Sequence, residues 1–390
     1  MTIVLTGGGS GGHITPILAI ADELKRLRPD IRIVYIGQRG DKLGDLPKQD
    51  PNIDLVLSVR AGKFRRYHGE GFNQIVDLKT ILKNVRDFMY VFIGVFQSWL
   101  IFKKLKPNCV FIKGGFVGVP VGLAAASQKI PYVTHDSDAL PGLANRIIAR
   151  WAAVHTVALP KEVYNYPLAK TVTVGVPIHS NFQFVSPASQ AKYRNEIGLG
   201  EYRKIILVTG GGLGARRLNE AVAAIMPSLL KRNKDLAVVH TVGRGNELAT
   251  NKIYQHNLDA VDLKKVKVEG YLTDLYRYSA AADVIVARAG ATNLAEFASQ
   301  AKACVIVPNP QLTGGHQLKN AAYLAEKEAI EIVTEQDIVR DNSKLEHAIQ
   351  RLLGDEDLRS KLGKNLSAFA NSNSANQLAR ILLNQMTEKT

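Results

Sequence analysis

The sequence predicts an α/β protein built from two doubly wound parallel sheets, and three observations lead to that prediction. Strand-like apolar runs alternate with helical patterns along most of the chain. The alternation begins twice, at Ile3 and at Ile205, and each first strand runs directly into a glycine-rich loop. With 390 residues, 46% of them hydrophobic, the chain is long enough to build a core in each of two domains.

The first half opens with the strand Ile3-Val-Leu5, the loop GGGSGGHITP at 7–16 and a helix that the pattern starts at Pro16. Further strands and helices then alternate. They are predicted at 31–36 (strand), 55–59 (strand), 72–105 (helices), 109–113 (strand), 120–128 (helix) and 132–135 (strand).

A strand at 172–177 is followed by a polar, weakly periodic stretch at 181–203, which reads as a connection between domains. We therefore predict domains at 1–178 and 179–372. The second domain repeats the pattern, with the loop GGGLGA at 210–215 after its first strand. Its predicted strands lie at 205–209, 237–241, 266–271, 284–287 and 304–307.

Each glycine loop is suited to an anion. Glycines let the backbone come close to a ligand, and the following helix presents unpaired N–H groups and the positive end of its dipole. His13, in the first loop, could reach the same ligand as an acid or base, or could be a structural histidine bonded within the loop.

Both loops fit the spacing of a dinucleotide site, but the second strands end in YIGQ at 35–38 and HTVG at 240–243, without the carboxylate that would hold a ribose. Arg39 leaves only a phosphorylated dinucleotide conceivable. We therefore predict no redox cofactor. Two such domains are expected to face each other across a cleft that binds ligands from each side.

A second constellation follows the predicted strand 284–287. Arg288 and Gly290 precede a helix that starts at Ala291, a geometry suited to a diphosphate, and Glu296 could accept hydrogen bonds from vicinal ribose hydroxyls. Glu296 could equally be a glutamate favoured by the helix dipole. The loop and helix start at 308–321 add Gln317, which could read sugar hydroxyls or cap the helix.

The formal charge of +15 favours anionic partners, but no aromatic-basic ladder supports nucleic-acid binding. Cys109 and Cys304 lie in apolar strand-like runs, which predicts buried thiols in a reducing compartment. No signal peptide pattern follows Met1. The apolar run at 89–102 is shorter than the ~20 residues that span a bilayer, so we expect one face to be buried and one to touch lipid, helped by flanking basic residues and by Lys63, Arg65 and Arg66.

Six ordered motifs give the chain a family resemblance: GGGSGGHITP, KGGFVGVP, HDSDALPGLAN, GGGLGARRLN, ARAGATNLAE and GGHQLKNA. Together they cover nearly the whole chain. The sequence resembles the peptidoglycan N-acetylglucosaminyltransferases of glycosyltransferase family 28, which convert lipid I to lipid II. The resemblance implies the GT-B fold, with a last helix, within 373–390, that crosses back to the N-terminal domain.

The resemblance also implies site residues. The proposed catalytic base is His13. Among the implied donor contacts, the backbone of Leu272 contacts uracil and Gln317 contacts the glucosamine. The full set of implied donor-binding residues is Ser10, Gly11, Gly12, Asp138, His179, Gly212, Leu272, Arg288, Ala291, Thr292, Asn293, Leu294, Ala295, Glu296 and Gln317. The acceptor loops contribute Gly8, Gly9, Gly114, Gly115 and Gly118.

Three positions depart from the family pattern: Asp138 replaces an Asn, Gly212 a Ser and His179 an Arg. The last two remove an arginine and a hydroxyl from the expected phosphate contacts. Asp136 and Asp138 form a DxD that could hold a metal, assist His13 as base, line the cleft or cap the helix near Leu143; we expect no metal, because helix N-termini and Arg288 can meet the diphosphate charge.

The expected activity is inverting transfer of N-acetylglucosamine from UDP-GlcNAc to the 4-hydroxyl of the muramoyl unit of lipid I, a polyprenyl-diphosphate substrate, at the cytoplasmic face of the membrane. We expect a peripheral enzyme of cell-wall biogenesis without cofactor. Alternatives are a related GT-B transferase with another lipid acceptor or donor, and a non-catalytic nucleotide-sugar or lipid-diphosphate binding protein.

Overall fold

A computed structural model describes residues 1–9, 11–62, 78–311 and 315–387. These residues form two compact units. The first contains Met1–His179, Gln311–His316 and Asn371–Thr390, and the second contains Ser180–Pro310 and Gln317–Ala370. Ser10 and the basic residues Lys63, Arg65 and Arg66 lie outside the described residues.

Strands and helices alternate in the first unit. In order they are β1 (Thr2–Thr6), α1 (Gly11–Leu27), β2 (Arg32–Gln38), α2 (Leu46–Gln49), β3 (Leu55–Val59), α3 (Leu78–Leu105), β4 (Cys109–Ile112), α4 (Gly118–Ser127), β5 (Tyr132–Asp136), α5 (Leu143–Ile148), β6 (Val154–Val157) and β7 (Thr171–Thr173). The described strands form one parallel sheet in the order β3-β2-β1-β4-β5-β6-β7. The order reverses between β1 and β4, which makes that edge the topological switch point.

The second unit has the same organisation. Its elements are α6 (Pro187–Glu196), β8 (Lys204–Thr209), α7 (Arg216–Arg232), β9 (Leu236–Thr241), α8 (Glu247–Asn257), α9 (Ala260–Leu263), β10 (Val266–Glu269), α10 (Leu275–Ala281), β11 (Val284–Ala287), α11 (Ala291–Ser299), β12 (Ala303–Ile306), α12 (His316–Glu326, from Gln317 onward), β13 (Glu331–Ile332), α13 (Glu335–Arg340), α14 (Ser343–Gly354) and α15 (Glu356–Ser367). The parallel sheet has the order β10-β9-β8-β11-β12-β13, so its switch point lies between β8 and β11.

Both central strands are apolar on both faces, as expected for strands covered by helices on each side. In β1 the side chains of Ile3, Val4 and Leu5 are fully buried, and in β8 those of Ile206 and Leu207 are too. Cys109 and Cys304 are buried and form no disulfide among the described residues, which confirms the prediction that both thiols are buried. The predicted α/β fold with two doubly wound units is also confirmed.

Two local predictions were wrong, and one strand was missed. Helix α1 begins at Gly11, so Pro16 lies inside the helix and not at its start, and His13 belongs to the first turn. The stretch 181–203, read as an irregular connection, contains α6, whose N-cap Ser186 accepts a hydrogen bond from the Ser189 N–H. Strand β6 was not predicted, although β5 and β7 flank it.

The first unit is completed by the helix α16 (Ser374–Thr387). Its residues Leu378, Ala379, Leu382 and Met386 are buried in one hydrophobic cluster with side chains of β1, α1 and β4. The Asn371 amide, just before the helix, donates to the Val174 carbonyl at 2.9 Å. The last helix is therefore a structural part of the first unit's core.

Helix α3 is longer than the apolar run at 89–102 suggested. Among the described residues, one segment, Val85–Leu105, is long and apolar enough to cross a membrane by length and composition, with 21 residues and a mean hydropathy of 1.3. One side of this helix is packed within its unit. A Cβ added to Gly94 would lie 2.0 Å from the Arg60 carbonyl oxygen, so this glycine permits close contact with the segment after β3.

Candidate active site at the two switch points

The loops after β1 and β4 touch at the switch point of the first unit. Gly115 has φ +79°, and a Cβ at this position would lie 2.5 Å from the Gly8 carbonyl oxygen. Only glycine fits such a backbone contact at positive φ. The two loops predicted to hold the acceptor are therefore brought together, and Gly118 begins α4 directly behind them.

His13 lies beside this contact. Its Nδ1 is 3.1 Å from the Gly8 carbonyl oxygen, and a Cβ at Gly114 would lie 3.7 Å from its Nε2. Because a carbonyl oxygen only accepts hydrogen bonds, Nδ1 carries the proton and Nε2 keeps its lone pair. The ring therefore presents a basic nitrogen next to the glycine loops.

Burial, followed by the charge of Lys113, lowers the pKa of His13 to about 4. Asp138, the bond to the Gly8 carbonyl and Asp41 act in the opposite direction and are weaker. His13 is therefore neutral at physiological pH, as a general base must be before it accepts a proton.

Lys113 follows β4 directly and is only 3% exposed. Its Nζ donates to Ser137 Oγ at 2.8 Å, and Ser137 Oγ donates to His135 Nε2 at 3.2 Å. The chain continues from His135 Nδ1 to Thr156 Oγ1 at 3.1 Å. Burial lowers the pKa of Lys113 to about 8, while Asp138 and Asp136 oppose that shift, so the amine is largely cationic at neutral pH.

Asp136 is 5% exposed, and both of its carboxylate oxygens accept hydrogen bonds. Oδ1 accepts from the Gly142 N–H at 2.9 Å and from the Asn145 amide at 3.0 Å, and Oδ2 accepts from the Tyr166 hydroxyl at 2.9 Å. Gly142 is the N-cap residue of α5. This geometry suits the alternative in which Asp136 organises the start of that helix.

Asp138 is half-buried, and its charge acts on both His13 and Lys113. The carboxylate of Asp138 therefore lies near both the candidate base and Lys113. In the part of the chain that the structure describes, no three His, Cys, Asp or Glu side chains are grouped so as to hold a metal ion.

The backbone of the first loop is hydrogen-bonded to Asp41, which follows β2. Its Oδ2 accepts the Gly9 N–H at 2.7 Å and its Oδ1 accepts the Leu43 N–H at 3.1 Å. Gly9 has φ +83°. Gly11 and Gly12 begin α1. Gly11 is half-buried and Gly12 is exposed, so a ligand can reach this helix start.

The second unit has a similar pair of touching loops. A Cβ at Gly214 would lie 2.0 Å from the Val242 carbonyl oxygen, and one at Gly243 would lie 2.2 Å from the Gly214 nitrogen. Gly212 lies half-buried in the turn of this loop. The structure therefore fixes the loop after β8 against the loop after β9. His179 is half-buried and belongs to the first unit.

Helix α11 starts across the second switch point, immediately after β11. Its N-cap residue is Gly290, which provides no side-chain cap, so the first N–H groups of the helix lack that acceptor. This first part of the helix contains the predicted donor residues Ala291, Thr292, Asn293, Leu294 and Ala295. Such a helix start is suited to an anion.

Glu296 lies one turn further along α11 and is 6% exposed. Burial raises the pKa of its carboxyl to about 8. The carboxyl group makes no hydrogen bond to another described residue. It is therefore a buried carboxyl without a protein partner in the described chain, at the C-terminal edge of the sheet.

The Arg288 side chain is hydrogen-bonded to other residues of its own unit. Its guanidinium donates to Glu335 Oε2 at 2.7 Å and to the Val307 carbonyl at 3.0 Å. Glu335 also accepts from Arg217 at 2.8 Å. The prediction that Arg288 meets the diphosphate charge stays a prediction, and its charge is already balanced by a buried carboxylate.

The remaining predicted donor contacts lie at the same edge of the second sheet. Leu272 follows β10 and is half-buried against the core. Gln317, in the first turn of α12, accepts the Asn309 N–H through Oε1 at 2.9 Å, which leaves its amide N–H groups to donate.

Lys113 and Asp41 were missed as site residues by the sequence analysis. Lys113 stands in the quoted motif KGGFVGVP, and its position directly after a buried strand was the available signal. A lysine between an apolar strand and two glycines is buried together with the loop. Because water screens a buried charge less, the Lys113 cation has a stronger effect on the pKa of His13.

Comparison with known proteins identifies the family. Residues 3–156 match the glycosyltransferase family 28 N-terminal domain, and residues 205–378 match the family's C-terminal domain. A relative from Bacillus pumilus is 31% identical over 382 residues, covering 98% of each chain. One from Leuconostoc citreum is 30% identical and covers 100% of each chain. Both are named UDP-N-acetylglucosamine--N-acetylmuramyl-(pentapeptide) pyrophosphoryl-undecaprenol N-acetylglucosamine transferase.

Solved structures share the fold. MurG from Acinetobacter baumannii superposes with a TM-score of 0.67 at 23% identity, covering 98% of this chain and 99% of that one. The UDP-GlcNAc 2-epimerase from Neisseria meningitidis, bound to UDP-GlcNAc, gives a TM-score of 0.67 at 12% identity over 98% of this chain and 100% of that chain.

Two doubly wound units, each with paired glycine loops at its switch point, define the class of GT-B enzymes. The chain belongs to glycosyltransferase family 28, and it is a hexosyltransferase.

Proposed function

We propose that this chain moves N-acetylglucosamine from UDP-GlcNAc to the 4-hydroxyl of the muramoyl unit of lipid I, which yields lipid II for peptidoglycan synthesis. The relatives that match over the full chain are named for this transfer. The structural observation that carries the proposal is the neutral His13 imidazole, with its Nε2 lone pair beside the two touching glycine loops of the first unit.

In the proposed reaction, His13 Nε2 takes the proton from the acceptor hydroxyl as that oxygen attacks the anomeric carbon of the donor. A new bond forms between the acceptor oxygen and the anomeric carbon. The bond from that carbon to the diphosphate oxygen breaks, and its electron pair leaves with UDP, so configuration inverts. The Nδ1 bond to the Gly8 carbonyl holds the ring in the tautomer that this step needs.

The second unit supplies the donor site of the proposal. The start of α11, where Gly290 supplies no side-chain cap, is suited to the diphosphate, whose negative charge grows as the bond breaks. The Glu296 carboxyl, which has no described hydrogen-bond partner, is suited to the two ribose hydroxyls. Gln317 can donate its amide N–H groups to the sugar.

The transfer is tested with the purified full chain, radiolabelled UDP-GlcNAc and a lipid I analogue with a shortened polyprenyl chain. We expect a labelled disaccharide lipid and release of UDP in equal amounts. A panel with UDP-GalNAc, UDP-glucose and a diacylglycerol acceptor separates this reaction from that of a related transferase. Donor binding without product in any combination would contradict the proposal and favour a binding protein.

We also propose that the enzyme works at the cytoplasmic face of the cell membrane, bound to its surface through α3. The helix has two opposite stripes. The buried stripe contains Val91, Ser98 and Phe102, and the exposed stripe contains large apolar side chains. The exposed apolar side chains are Val85, Phe88, Met89, Phe92, Phe96 and Leu100, each 42–61% accessible.

This stripe fits a membrane surface. Lys103 and Lys104 continue it as exposed cations, and Lys103 lies 4.7 Å from the centre of the Trp99 ring. An apolar stripe ending in lysines suits the boundary between acyl chains and anionic head groups. Because the opposite side of α3 packs on its own unit, the helix is suited to lie on a bilayer and not to cross it.

The membrane proposal is tested by co-sedimentation with vesicles of anionic lipid at low salt. The double variant Phe92→Ser, Phe96→Ser should lose most of the bound fraction. Phe184→Ser is the matched control, because Phe184 is 71% exposed but lies in the second unit. Equal retention of all three proteins on vesicles would contradict a role for α3.

A further inference from the structure

A cavity of about 450 Å³ lies in the first unit, away from the glycine loops, between α5 and the turns that precede β7. Three cationic side chains line it: Arg146, Arg150 and Lys170. None of its lining residues is acidic. Among the described residues, none of these three cations has a carboxylate partner within ion-pair distance. Three unneutralised cations around one cavity create a strongly positive local potential.

The wall of the cavity is built and buried. His155, on β6, is 1% exposed and stacks on Tyr166, with ring centres 4.1 Å apart and planes within 5°. His155 Nδ1 lies 2.9 Å from Thr134 Oγ1. That is the one hydrogen bond that the described chain gives the ring, so Nε2 has no protein partner there.

The His155 ring in the cavity wall is uncharged. Burial, followed by the charge of Lys170, lowers the pKa of His155 to about 4, so the ring is neutral. In the tautomer in which the Thr134 hydroxyl donates to Nδ1, the ring proton is on Nε2 and can be donated to a bound anion. The side-chain amide of Asn165 adds two more N–H donors to the lining.

We propose that this cavity is a second anion site, which binds a phosphate group through Arg146, Arg150 and Lys170, with the His155 ring in its wall. Its volume accommodates a phosphate or a diphosphate with a small substituent. Arginine pairs bind phosphate oxygens in a bidentate manner, and lysine adds a point charge. The group can belong to a soluble phosphorylated compound or to a phospholipid head group.

The site adjoins the catalytic region through one side chain. Tyr166 forms part of the cavity wall, and its hydroxyl donates to Asp136 Oδ2 at 2.9 Å. A bound phosphate therefore acts one side chain away from the carboxylate that organises α5. Exposed apolar residues lie close to these cations in sequence: Ile147 follows Arg146, Trp151 follows Arg150, and Leu168 is two residues before Lys170.

Trp151 provides a local reporter, because the chain has two tryptophans and the other is Trp99. In a Trp99→Phe background, the fluorescence of Trp151 is followed during titration with inorganic diphosphate, with UDP present at saturation to fill the donor site. A second titration uses vesicles of phosphatidic acid, with vesicles of phosphatidylcholine as reference.

We expect the Trp151 fluorescence of the Trp99→Phe protein to change saturably with the probe. The affinity for the probe should be about ten- to a hundredfold lower for Arg150→Glu and for Lys170→Glu, each in the same background. Arg340→Glu makes the same charge change at an exposed arginine of the second unit and should leave the affinity unchanged. Unchanged thermal unfolding by circular dichroism confirms that the variants are folded.

A signal with diphosphate assigns the site to a soluble ligand, and one with phosphatidic acid vesicles alone assigns it to a head group; both support a phosphate site. No saturable signal with either probe, or an equal loss in Arg340→Glu, would overturn it. The inference does not depend on the transfer reaction. Phosphate binding here can therefore be present in a protein that fails the transfer assay, or absent from one that passes.

Discussion

The two switch points have the same backbone architecture but different chemistry. In the first unit, His13 is surrounded by the charges of Lys113, Asp138 and Asp41. In the second unit, the described edge presents backbone N–H groups and one unpartnered carboxyl, Glu296, while Arg288 is neutralised by Glu335. The same loop geometry therefore supports two different tasks.

The difference shows what each task requires. Moving a proton needs a group whose pKa is set by its neighbours, so titratable residues are concentrated around His13. Holding a diphosphate needs fixed dipoles that do not titrate, which glycine loops and a helix start provide. Three variants test this division of tasks.

His13→Ala has the largest expected effect, because it removes the proposed base. We expect turnover to fall by about 10²- to 10⁴-fold, with the affinity for UDP-GlcNAc nearly unchanged. Steady-state transfer kinetics and calorimetric donor binding measure the two quantities separately. Turnover like that of the unchanged protein would remove His13 from the catalytic role.

Glu296→Gln tests the second unit. Because burial raises the Glu296 pKa to about 8, the ionised form that accepts two ribose hydrogen bonds becomes populated as the pH rises through that value. The affinity of the unchanged protein for UDP should therefore exceed that of the variant by about tenfold above pH 8, and by less at pH 6.

The measurement is UDP binding by calorimetry from pH 6 to 9, reported as the ratio of the two affinities so that titration of the nucleotide cancels. Glu220→Gln, at an exposed position on α7, is the control. A ratio that does not change with pH would show that Glu296 does not bind the ribose as a carboxylate.

Lys113→Met should have the smallest effect, and only at low pH. The Lys113 cation lowers the His13 pKa, so its loss should raise that pKa, which stays below the ordinary value because burial, the larger cause, remains. The acid limb of kcat/KM should move up by the same amount, while activity at pH 8 changes little.

Nuclear magnetic resonance of ring-labelled histidine measures the His13 pKa directly, independent of activity. Lys48→Met is the control, since Lys48 is an exposed lysine of the same unit. If the His13 pKa stayed the same after loss of Lys113, the amine would not influence the base.

Much of the fold could be predicted from local patterns. Strand β11 and the start of α11 agree with the sequence analysis, because a continuous apolar run bounded by polar or glycine residues is typical of a buried parallel strand. Helix α6 was missed for the opposite reason: it buries none of its residues, so it has no apolar period. It is anchored by Arg194, whose guanidinium pairs with Asp283 at 2.7 Å, 89 residues away in sequence.

The candidate site could be predicted only in part, for a related reason. The first glycine loop and His13 stand together in sequence, so one motif predicted both. Asp41 and Lys113 come from the ends of other strands, and they meet the first loop because parallel strands β2, β1 and β4 end at the same edge. Register between distant strands is not visible in a single motif.

Helix α16 has a consequence for biosynthesis. The core of the first unit is finished by Leu378, Leu382 and Met386, which leave the ribosome after the whole second unit has been made. Until then, the nascent first unit exposes the apolar groove that these side chains fill. A fragment that ends at His179 should therefore aggregate, whereas adding residues 371–387 as a separate peptide should restore its solubility.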